Sequence, residues 1–396
     1  MASLRKSVDR RTFLKLGAAA SGMAVAGCES SEPVASSPQT FELGYRPLGG
    51  TGLRVSEIAF GSHHIDRPDL MRAALDAGIN AFCTSGPYLD GREEEALAEG
   101  MATAGSRRED VVILTGTVVR PGASTTKLLA EIDASLRRLQ TDYIDVYYTG
   151  EVRTVEDVRV DALYEAFDIA RQAGKVRHLG LTSHAGGMQD CLNAAIEDEQ
   201  IEVFFIKYDF VSYPDLDEIL SRAAQQGIGT MVFKTNAGNR QREIEDLEAG
   251  GLSFPQATVK WALTNPAVAS VAISMSSFDT IRQFTAAAGA ALTAPEVAML
   301  RRYAEEMYDK YCRFCGECEQ HCPHGVAVAD VNRFAMYFSG YGREKQAMRF
   351  YRALPAKRSA AACEACVGHC DSGCPFGRRV QTELVAAHRQ LSFLEA

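Results

Sequence analysis

Two short runs of cysteine near the C-terminus are the residues of this 396-residue chain most suited to chemistry. The first run has the form C-x2-C-x2-C-x3-C-P, and the second has the form C-x2-C-x3-C-x3-C-P. Together they contain eight of the eleven cysteines: Cys312, Cys315, Cys318, Cys322, Cys363, Cys366, Cys370 and Cys374. Such close spacing places successive thiolates around one turn of backbone, as an iron–sulfur cubane requires. The sequence therefore predicts a module that handles electrons.

The pairing of the two runs follows the pattern of two-cluster ferredoxins, in which the fourth cysteine of each run binds the other cluster. We therefore expect one [4Fe-4S] cluster on Cys312, Cys315, Cys318 and Cys374, and a second on Cys363, Cys366, Cys370 and Cys322. Structural zinc is the alternative, although all-thiolate zinc sites usually have two C-x2-C pairs. Disulfides are a third interpretation, but these spacings suit metal ligation better than cross-linking.

The composition narrows the class of protein. A chain of 396 residues can form one large domain of about 250 residues and a smaller one. The apolar fraction of 46% is usual for a globular protein. A net charge of -9 argues against nucleic acid as a partner, because nucleic acid requires a basic face.

The first 28 residues have the pattern of an export address. Residues 9–15 (DRRTFLK) resemble a twin-arginine signal, and residues 16–27 are too short and too rich in Gly and Ala to predict a membrane span. Residues 25–28 (VAGC) resemble a lipoprotein cleavage box, after which Cys28 would be lipidated; a basic tail with a chance cysteine is the alternative. With residues 29–43 as a flexible linker, we expect a periplasmic or cell-surface protein anchored to a bacterial membrane.

Residues 44–293 alternate short apolar runs with helical segments, which is the pattern of repeated βα units. Eight regular units in about 230 residues favour a closed (β/α)8 TIM barrel over a doubly wound sheet, with its site at the carboxyl ends of the strands. The candidate strands are residues 58–62, 81–85, 111–118, 144–148, 176–182, 203–208, 229–234 and 270–274. Residues 294–396 are expected to form a small, mainly helical domain, with helices over 294–310 and 327–353.

Specific residues in this barrel resemble the aldo/keto reductases. Residues 45–56 (YRPLGGTGLRVS) resemble the opening hairpin of that family. Residues 78–80 (GIN), 143–145 (YID) and 174–177 (GKVR), with Gly180, fall where the family has similar residues. With the cysteine runs, the chain resembles the branch that carries a C-terminal ferredoxin-type segment. The resemblance implies a TIM barrel and reduction of carbonyl groups with NADPH.

The resemblance also implies a catalytic set of Asp, Tyr, Lys and His, of which only the Tyr is present, as Tyr88. Cys83, Gly116 and Gly150 stand at the positions of the Asp, the Lys and the His. A phenol with a pKa near 10 is a poor acid at pH 7 without a neighbouring cation. Tyr88 alone would therefore lose much of a contribution that is ordinarily about 10²–10⁴-fold.

The cofactor positions implied by the resemblance are altered as well. Tyr208 is retained at the nicotinamide position, but Phe205 replaces a Gln, and Ser274 and Met275 replace a Pro-Gly pair. We therefore do not expect tight binding of NADPH.

Other polar residues near the predicted strand ends offer a different site. His184 and Lys207 are the alternative catalytic candidates; His63, His64, Lys234 and Cys83 lie in similar positions. The plainer interpretation is a hydrogen-bonded or solvent-facing role for each His, a carboxylate partner for Lys207 and a packing role for Cys83.

Three functions follow from these observations. The leading hypothesis is an exported oxidoreductase-class protein that transfers electrons through two [4Fe-4S] clusters without the usual carbonyl chemistry. The second is a carbonyl reductase that takes electrons from NADPH or from the clusters. The third is a scaffold subunit with structural clusters. The sequence leaves open the substrate, the redox partner and the oligomeric state.

Overall fold

The computed structural model describes residues 43–211 and 216–393. The predicted export signal, the lipidation site at Cys28 and nearly all of the predicted linker lie outside these residues. The described chain begins with an antiparallel hairpin of strands β1 (Tyr45–Pro47) and β2 (Arg54–Ser56), in which Tyr45 faces Ser56.

Eight parallel strands of the described residues close into a barrel in the order β10-β3-β4-β5-β6-β7-β8-β9. Their bounds are β3 Ile58–Gly61, β4 Ala81–Cys83, β5 Val112–Thr117, β6 Ile144–Thr149, β7 Val176–Ser183, β8 Val203–Lys207, β9 Gly229–Phe233 and β10 Val268–Ser274. Closure occurs between β10 and β3, where Val271 faces Ile58. The predicted TIM barrel is confirmed, and each candidate strand overlaps one observed strand. The carboxyl ends of the strands form the mouth of the barrel.

Helices surround the barrel and bury one apolar stripe each. Their bounds are α1 Pro68–Asp76, α2 Arg92–Ala104, α3 Thr125–Leu139, α4 Val155–Val158, α5 Asp161–Gln172, α6 Met188–Asp198, α7 Leu216–Gln225, α8 Phe254–Leu263 and α9 Phe278–Thr285. In α3, Leu128, Ile132 and Leu136 recur every four residues and are buried against the strands. The Ser124 hydroxyl caps this helix by accepting a hydrogen bond from the Lys127 amide.

Beyond the barrel, the described chain continues as helices α10 Ala294–Glu306, α11 Val328–Ser339, α12 Glu344–Arg352, α13 His369–Ser372 and α14 Val380–Leu391. The helix predicted over 327–353 is therefore two helices, α11 and α12. At the break, Gly340 lies against the loop after β9, where an added Cβ would lie 2.4 Å from the backbone oxygen of Gly238. Gly342 then has φ +61°, a conformation that favours glycine.

Residues 307–393, called the C-terminal segment below, have an apolar core of their own and also pack on the barrel mouth. Val328, Met348 and Leu384 are buried in that core. The Asn239 amide, on the loop after β9, donates to the Gly340 oxygen at 2.8 Å. Arg153, after β6, pairs with Asp330 of α11 at 2.8 Å. In the part of the chain that is described, no helix has both the length and the apolar character needed to cross a membrane.

Candidate functional site

The cysteines of the two runs form two groups of four thiols. Burial raises the pKa of Cys318, and the neighbouring thiols of Cys312, Cys315 and Cys374 raise it further. Burial likewise raises the pKa of Cys363 to about 11, with added effects from Cys322, Cys370 and Cys366. Each run thus supplies three thiols to one group and its last thiol to the other. The assignment of these eight cysteines to two clusters stays a prediction.

Local contacts between the two runs bring the last cysteine of each run close to the thiols of the other run. Gly373 lies against the ring of His321, where an added Cβ would be 2.3 Å from the ring, so the loop before Cys374 sits on the first run. Two backbone amides also donate to cysteine sulfur: Phe314 to Cys312 and Val326 to Cys322, each at 3.4 Å. Such hydrogen bonds tune the potential of an iron–sulfur cluster.

The residue types in the two groups are those that an iron–sulfur cubane would use. The ten cysteines within the described residues are all free, so none of them forms a disulfide. In the same residues, no three or more His, Cys, Asp or Glu side chains converge on a point that could hold one metal ion. A tetrahedral zinc needs four ligands on one ion. A cubane binds each thiolate through a different iron, and the eight thiols of the two runs are free to act as such ligands.

At the barrel mouth, other atoms fill the place where the family resemblance implies a catalytic lysine. Cys83 ends β4 inside the barrel core, Gly116 lies in β5, and Gly150 follows β6. A Cβ at Gly116 would lie 2.0 Å from the backbone oxygen of Tyr148, and the Tyr148 hydroxyl donates to the Thr84 oxygen. A side chain larger than that of glycine does not fit at position 116 unless the backbone moves.

Tyr88 lies in a 3-10 turn after β4, with its ring 4.5 Å from the ring of His63. Burial raises the pKa of Tyr88 well above its ordinary value, and the neighbouring Tyr148 and Glu151 raise it further. An acid with such a pKa gives up a proton poorly near neutral pH. Tyr88 is therefore present at the mouth without the electrostatic support that a proton donor needs.

His184, one of the alternative catalytic candidates, lies at the mouth between a carboxylate and a guanidinium. Its Nε2 is 3.4 Å from Glu151, and its Nδ1 is 3.1 Å from an Arg333 nitrogen. Because a guanidinium can only donate, Nδ1 accepts and the ring proton faces Glu151. Burial and the Lys234 charge lower the pKa of His184 to about 3, so the ring is neutral at pH 7.

The two candidate lysines have different partners. The Lys207 ammonium is buried and pairs with Asp209 at 2.8 Å, as the plainer interpretation predicts, and it lies 5.5 Å from the centre of the Phe314 ring. The Lys234 ammonium donates to the hydroxyl of Tyr337, a residue of α11, at 2.9 Å. Lys234 thus bonds with the C-terminal segment.

His63 and His64 lie in the loop after β3 and contact Gln346 of α12. The Gln346 amide nitrogen lies 3.2 Å from Nε2 of His63 and 2.5 Å from Nε2 of His64. Burial, followed by the charges of Arg343 and Arg349, lowers the pKa of His64 to about 4. The structure thus gathers His63, His64, His184 and Lys234 beneath the C-terminal segment.

Tyr208 differs from its predicted role. Side chains alternate along a strand, and because Phe205 and Lys207 face the barrel interior and its mouth, Tyr208 faces the surrounding helices. Its ring stacks on Trp261 with centroids 4.8 Å apart, and its hydroxyl donates to Asp217 at 2.6 Å. Phe205 packs on Phe233 at 4.7 Å. Of the residues implied for nicotinamide contact, Tyr208 therefore packs against the outer helices and Phe205 packs inside the barrel.

Residues 61–305 match the model of the aldo/keto reductase family. The chain belongs to this family. The uncharacterized oxidoreductase YrpG of Bacillus subtilis is 30% identical over 246 residues, covering 51% of this chain and 73% of the relative. The uncharacterized oxidoreductase YqkF of the same organism is 26% identical over 304 residues, covering 66% and 96%.

The solved aldo-keto reductase AKR11C1 from Bacillus halodurans, in its holo form, has a similar fold. It is 24% identical, with a TM-score of 0.56, and the match covers 66% of this chain and 96% of that one. The family match ends before Cys312, so both cysteine runs lie outside it. The family as a whole typically uses NAD(P)H.

Sequence reasoning missed several residues of this aldo/keto reductase mouth. Glu151 and Arg333, which bracket His184, were not singled out, and Tyr337 was not expected to meet Lys234. A signal for Arg333 existed, since it stands four residues before Tyr337 and therefore shares its helix face. The partner of that face could not be read from the sequence.

Proposed function

We propose that this member of the aldo/keto reductase family is an electron-transfer protein that carries two [4Fe-4S] clusters in its C-terminal segment. The observation that carries the proposal is the division of eight thiols into two groups of four, each drawing on both runs. Cys312, Cys315, Cys318 and Cys374 would hold one cluster, and the remaining four cysteines would hold the other. The clusters supply one-electron transfer when bound.

The first thiol group lies beside the barrel, which supports transfer of electrons to or from the mouth. An added Cβ at Gly186, after β7, would lie 3.2 Å from the Cys315 oxygen. A cavity of about 540 Å³ separates these loops and is lined by Gly186, Phe314, Cys315 and Arg333 among others. Arg333 also contacts His184, so the cavity borders the mouth.

We further propose that the protein is exported in folded form and held at a membrane surface by lipid on Cys28. The twin-arginine pattern in residues 9–15 and the VAGC box support this proposal. The export route is consistent with clusters, because they must be inserted before the chain meets an oxidising compartment. The electron donor would then be a protein or small molecule of the same compartment.

Metal analysis of anaerobically purified full-length protein tests the cluster proposal. We expect about eight iron atoms and about eight acid-labile sulfides per chain, four of each for every cluster. Voltammetry should show reversible reduction, which structural clusters would lack. Stoichiometric zinc with negligible iron would contradict the proposal.

Carbonyl reduction with NADPH is the second candidate, because the family match favours it. Gly116 and Gly150 at the strand ends, and the orientation of Tyr208, argue against it. Titration with NADPH on the same sample distinguishes the two. Saturable binding followed by aldehyde-dependent oxidation of NADPH would support the reductase.

A further inference from the structure

A basic surface lies on the C-terminal segment, on the outer side of α12 and the turn that follows it. Its members are four exposed cations: Lys345, Arg349, Arg352 and Lys357. The three on α12 recur at intervals of four and three residues, so they share one face of the helix. Ala347 and Tyr351, on the other side of α12, are buried in the core of the segment. The four cations are called the basic face below.

The charges of the basic face are not neutralised within the chain as described. Residues 343–358 contain six cations and one carboxylate, Glu344. Among the described residues, none of the four cations of the basic face forms an ion pair. Exposed cations of the barrel, in contrast, pair with carboxylates, as Arg159 does with Asp198 at 2.8 Å. The basic face therefore has charge available for a partner.

The charge of the whole chain indicates which partner fits this surface. The net charge is -9, so an acidic protein is repelled by most of the molecule and attracted at the basic face. Such a contrast orients an acidic partner before contact and raises its rate of association. A basic protein would be directed to the rest of the surface instead. Charge complementarity thus favours an acidic partner here.

The basic face leads to the second thiol group, which consists of Cys322, Cys363, Cys366 and Cys370. The Tyr351 hydroxyl of α12 accepts a hydrogen bond from the Ala360 amide at 2.9 Å, and Ala360 begins the turn that contains Cys363. Val367, next to Cys366, is 85% exposed. Three small apolar neighbours are exposed as well: Ala361, Ala362 and Ala365. A partner on the basic face can bury this apolar surface, as the centre of a protein interface requires.

The basic face and the start of the described chain lie at opposite ends of the barrel. Gln346 of α12 contacts His64, at the carboxyl end of β3. The Gly50 amide of the opening hairpin donates to the Gly227 oxygen, two residues before β9 begins. A membrane tether that precedes the hairpin therefore favours a protein, rather than the membrane surface, as the occupant of the basic face.

We propose that the basic face and the exposed residues around Val367 dock an acidic electron-transfer protein, which passes electrons to a cluster on the second thiol group. This inference rests on the proposed function, because only a cluster there could accept the electrons. One electron would leave the reduced partner, which is oxidised by one electron, and the cluster would be reduced by one electron. No bond would form or break. The first thiol group lies against the barrel at Gly186, so the second group is the one that this partner reaches.

The test uses the full-length chain with Cys28→Ser, prepared anaerobically, so that a lipid on this residue cannot contribute. The probe is a flavodoxin, a small acidic flavoprotein that gives single electrons. Calorimetry at low ionic strength measures binding of the flavodoxin. Stopped-flow absorbance measures reduction of the clusters by reduced flavodoxin.

Two variants alter the proposed docking surface, and a third is the control. Arg352→Glu and Lys357→Glu are combined in one protein, and Val367→Ser is made in another. Arg137→Glu is the matched control, because Arg137 is also an exposed cation in the last turn of a helix, on α3 of the barrel. Electron paramagnetic resonance on each sample shows whether both clusters are present.

We expect saturable binding that weakens as salt rises, because screening shortens the reach of a charge from about 30 Å at 0.01 M to about 10 Å at 0.1 M. The double charge reversal should lower the association rate about tenfold. Val367→Ser should raise the dissociation rate about tenfold, since it removes buried apolar surface. Arg137→Glu should change neither rate.

Absence of binding at low salt would overturn the proposal, as would equal binding by the unaltered and the doubly reversed proteins. Vesicles of phosphatidylserine that bind the unaltered protein and displace flavodoxin would assign the basic face to a membrane and would also overturn it. Failure of the proposed function has a different result. Binding that the double reversal weakens, in protein without clusters, would reject electron transfer and leave the docking surface standing.

Discussion

The ends of strands β4 to β6 and the two cysteine runs are opposite cases within one molecule. At the strand ends the fold is intact, yet Cys83, Gly116 and Gly150 occupy the positions where the family resemblance implies catalytic groups. In the runs there is little regular structure, yet all eight thiols are grouped in fours. The comparison teaches that an intact barrel framework can carry altered residues at its strand ends beside a separate segment rich in thiols.

The largest effect is expected from a substitution in the cysteine runs. Replacing Cys318 with Ala removes a ligand that is also buried in the core of the C-terminal segment. We expect loss of about half of the iron, since one of two cubanes loses a ligand. Limited proteolysis should then cut the C-terminal segment while the barrel persists. Cys191→Ala, on α6 and outside both runs, is the control, and full iron content in Cys318→Ala would contradict the prediction.

The contact between the two regions depends on Arg333, which pairs with Asp330 and touches His184. Arg333→Met leaves a buried carboxylate without one of its cations. We expect the free energy of unfolding to fall by about 3–5 kcal/mol, as when one partner of a buried pair is removed. Chemical denaturation measures this loss.

Arg389 is the matched control for that measurement. Its side chain is 70% exposed, and it pairs with Glu364, which is 50% exposed. Arg389→Met should therefore change the free energy of unfolding by less than about 1 kcal/mol. Equal losses in the two variants would show that the contact between the barrel and the C-terminal segment stabilises the fold no more than an exposed ion pair does.

Alanine substitutions test whether the strand ends have room for a side chain at Gly116 and Gly150. Gly116→Ala places a Cβ 2.0 Å from a backbone oxygen, which cannot rotate away. We expect a loss of about 1–3 kcal/mol in the free energy of unfolding, typical of overpacking. Gly150→Ala, whose nearest atom would be 3.1 Å away, should cost less. If Gly116→Lys were stable and reduced aldehydes with NADPH, the barrel would be only one residue away from carbonyl chemistry.

The smallest expected effect is a pH dependence from His184. Its pKa is lowered to about 3 in the folded protein and returns to about 6.5 on unfolding. The unfolded chain therefore binds more protons, so stability falls as the pH falls below 7. Between pH 7 and pH 6 the loss from this residue is about 0.7 kcal/mol. Denaturation at both pH values should show a smaller loss of stability between pH 7 and pH 6 in His184→Gln than in the unaltered protein. An equal loss in the two proteins would contradict the lowered pKa of His184.

Much of the barrel was predictable because its information is local. Apolar runs such as residues 144–148 and 203–208 gave strands within one or two residues of those observed. The outward orientation of Tyr208 was not predicted, because the family resemblance implied contact with nicotinamide. The alternation of side chains along β8 would have indicated that Tyr208 faces away from the barrel interior. The Lys234–Tyr337 contact joins residues 103 positions apart and depends on how the C-terminal segment packs. No spacing or periodicity encodes such a contact.

The exchange of the last cysteine between the two runs has a consequence for biosynthesis. The first group of four thiols needs Cys374, which lies 22 residues from the end of the 396-residue chain. The ribosome therefore has to synthesise the chain through Cys374 before the first group of four thiols is complete. A nonsense mutation upstream of Cys363 would leave both groups of thiols incomplete, whereas one between Cys370 and Cys374 would spare the second group.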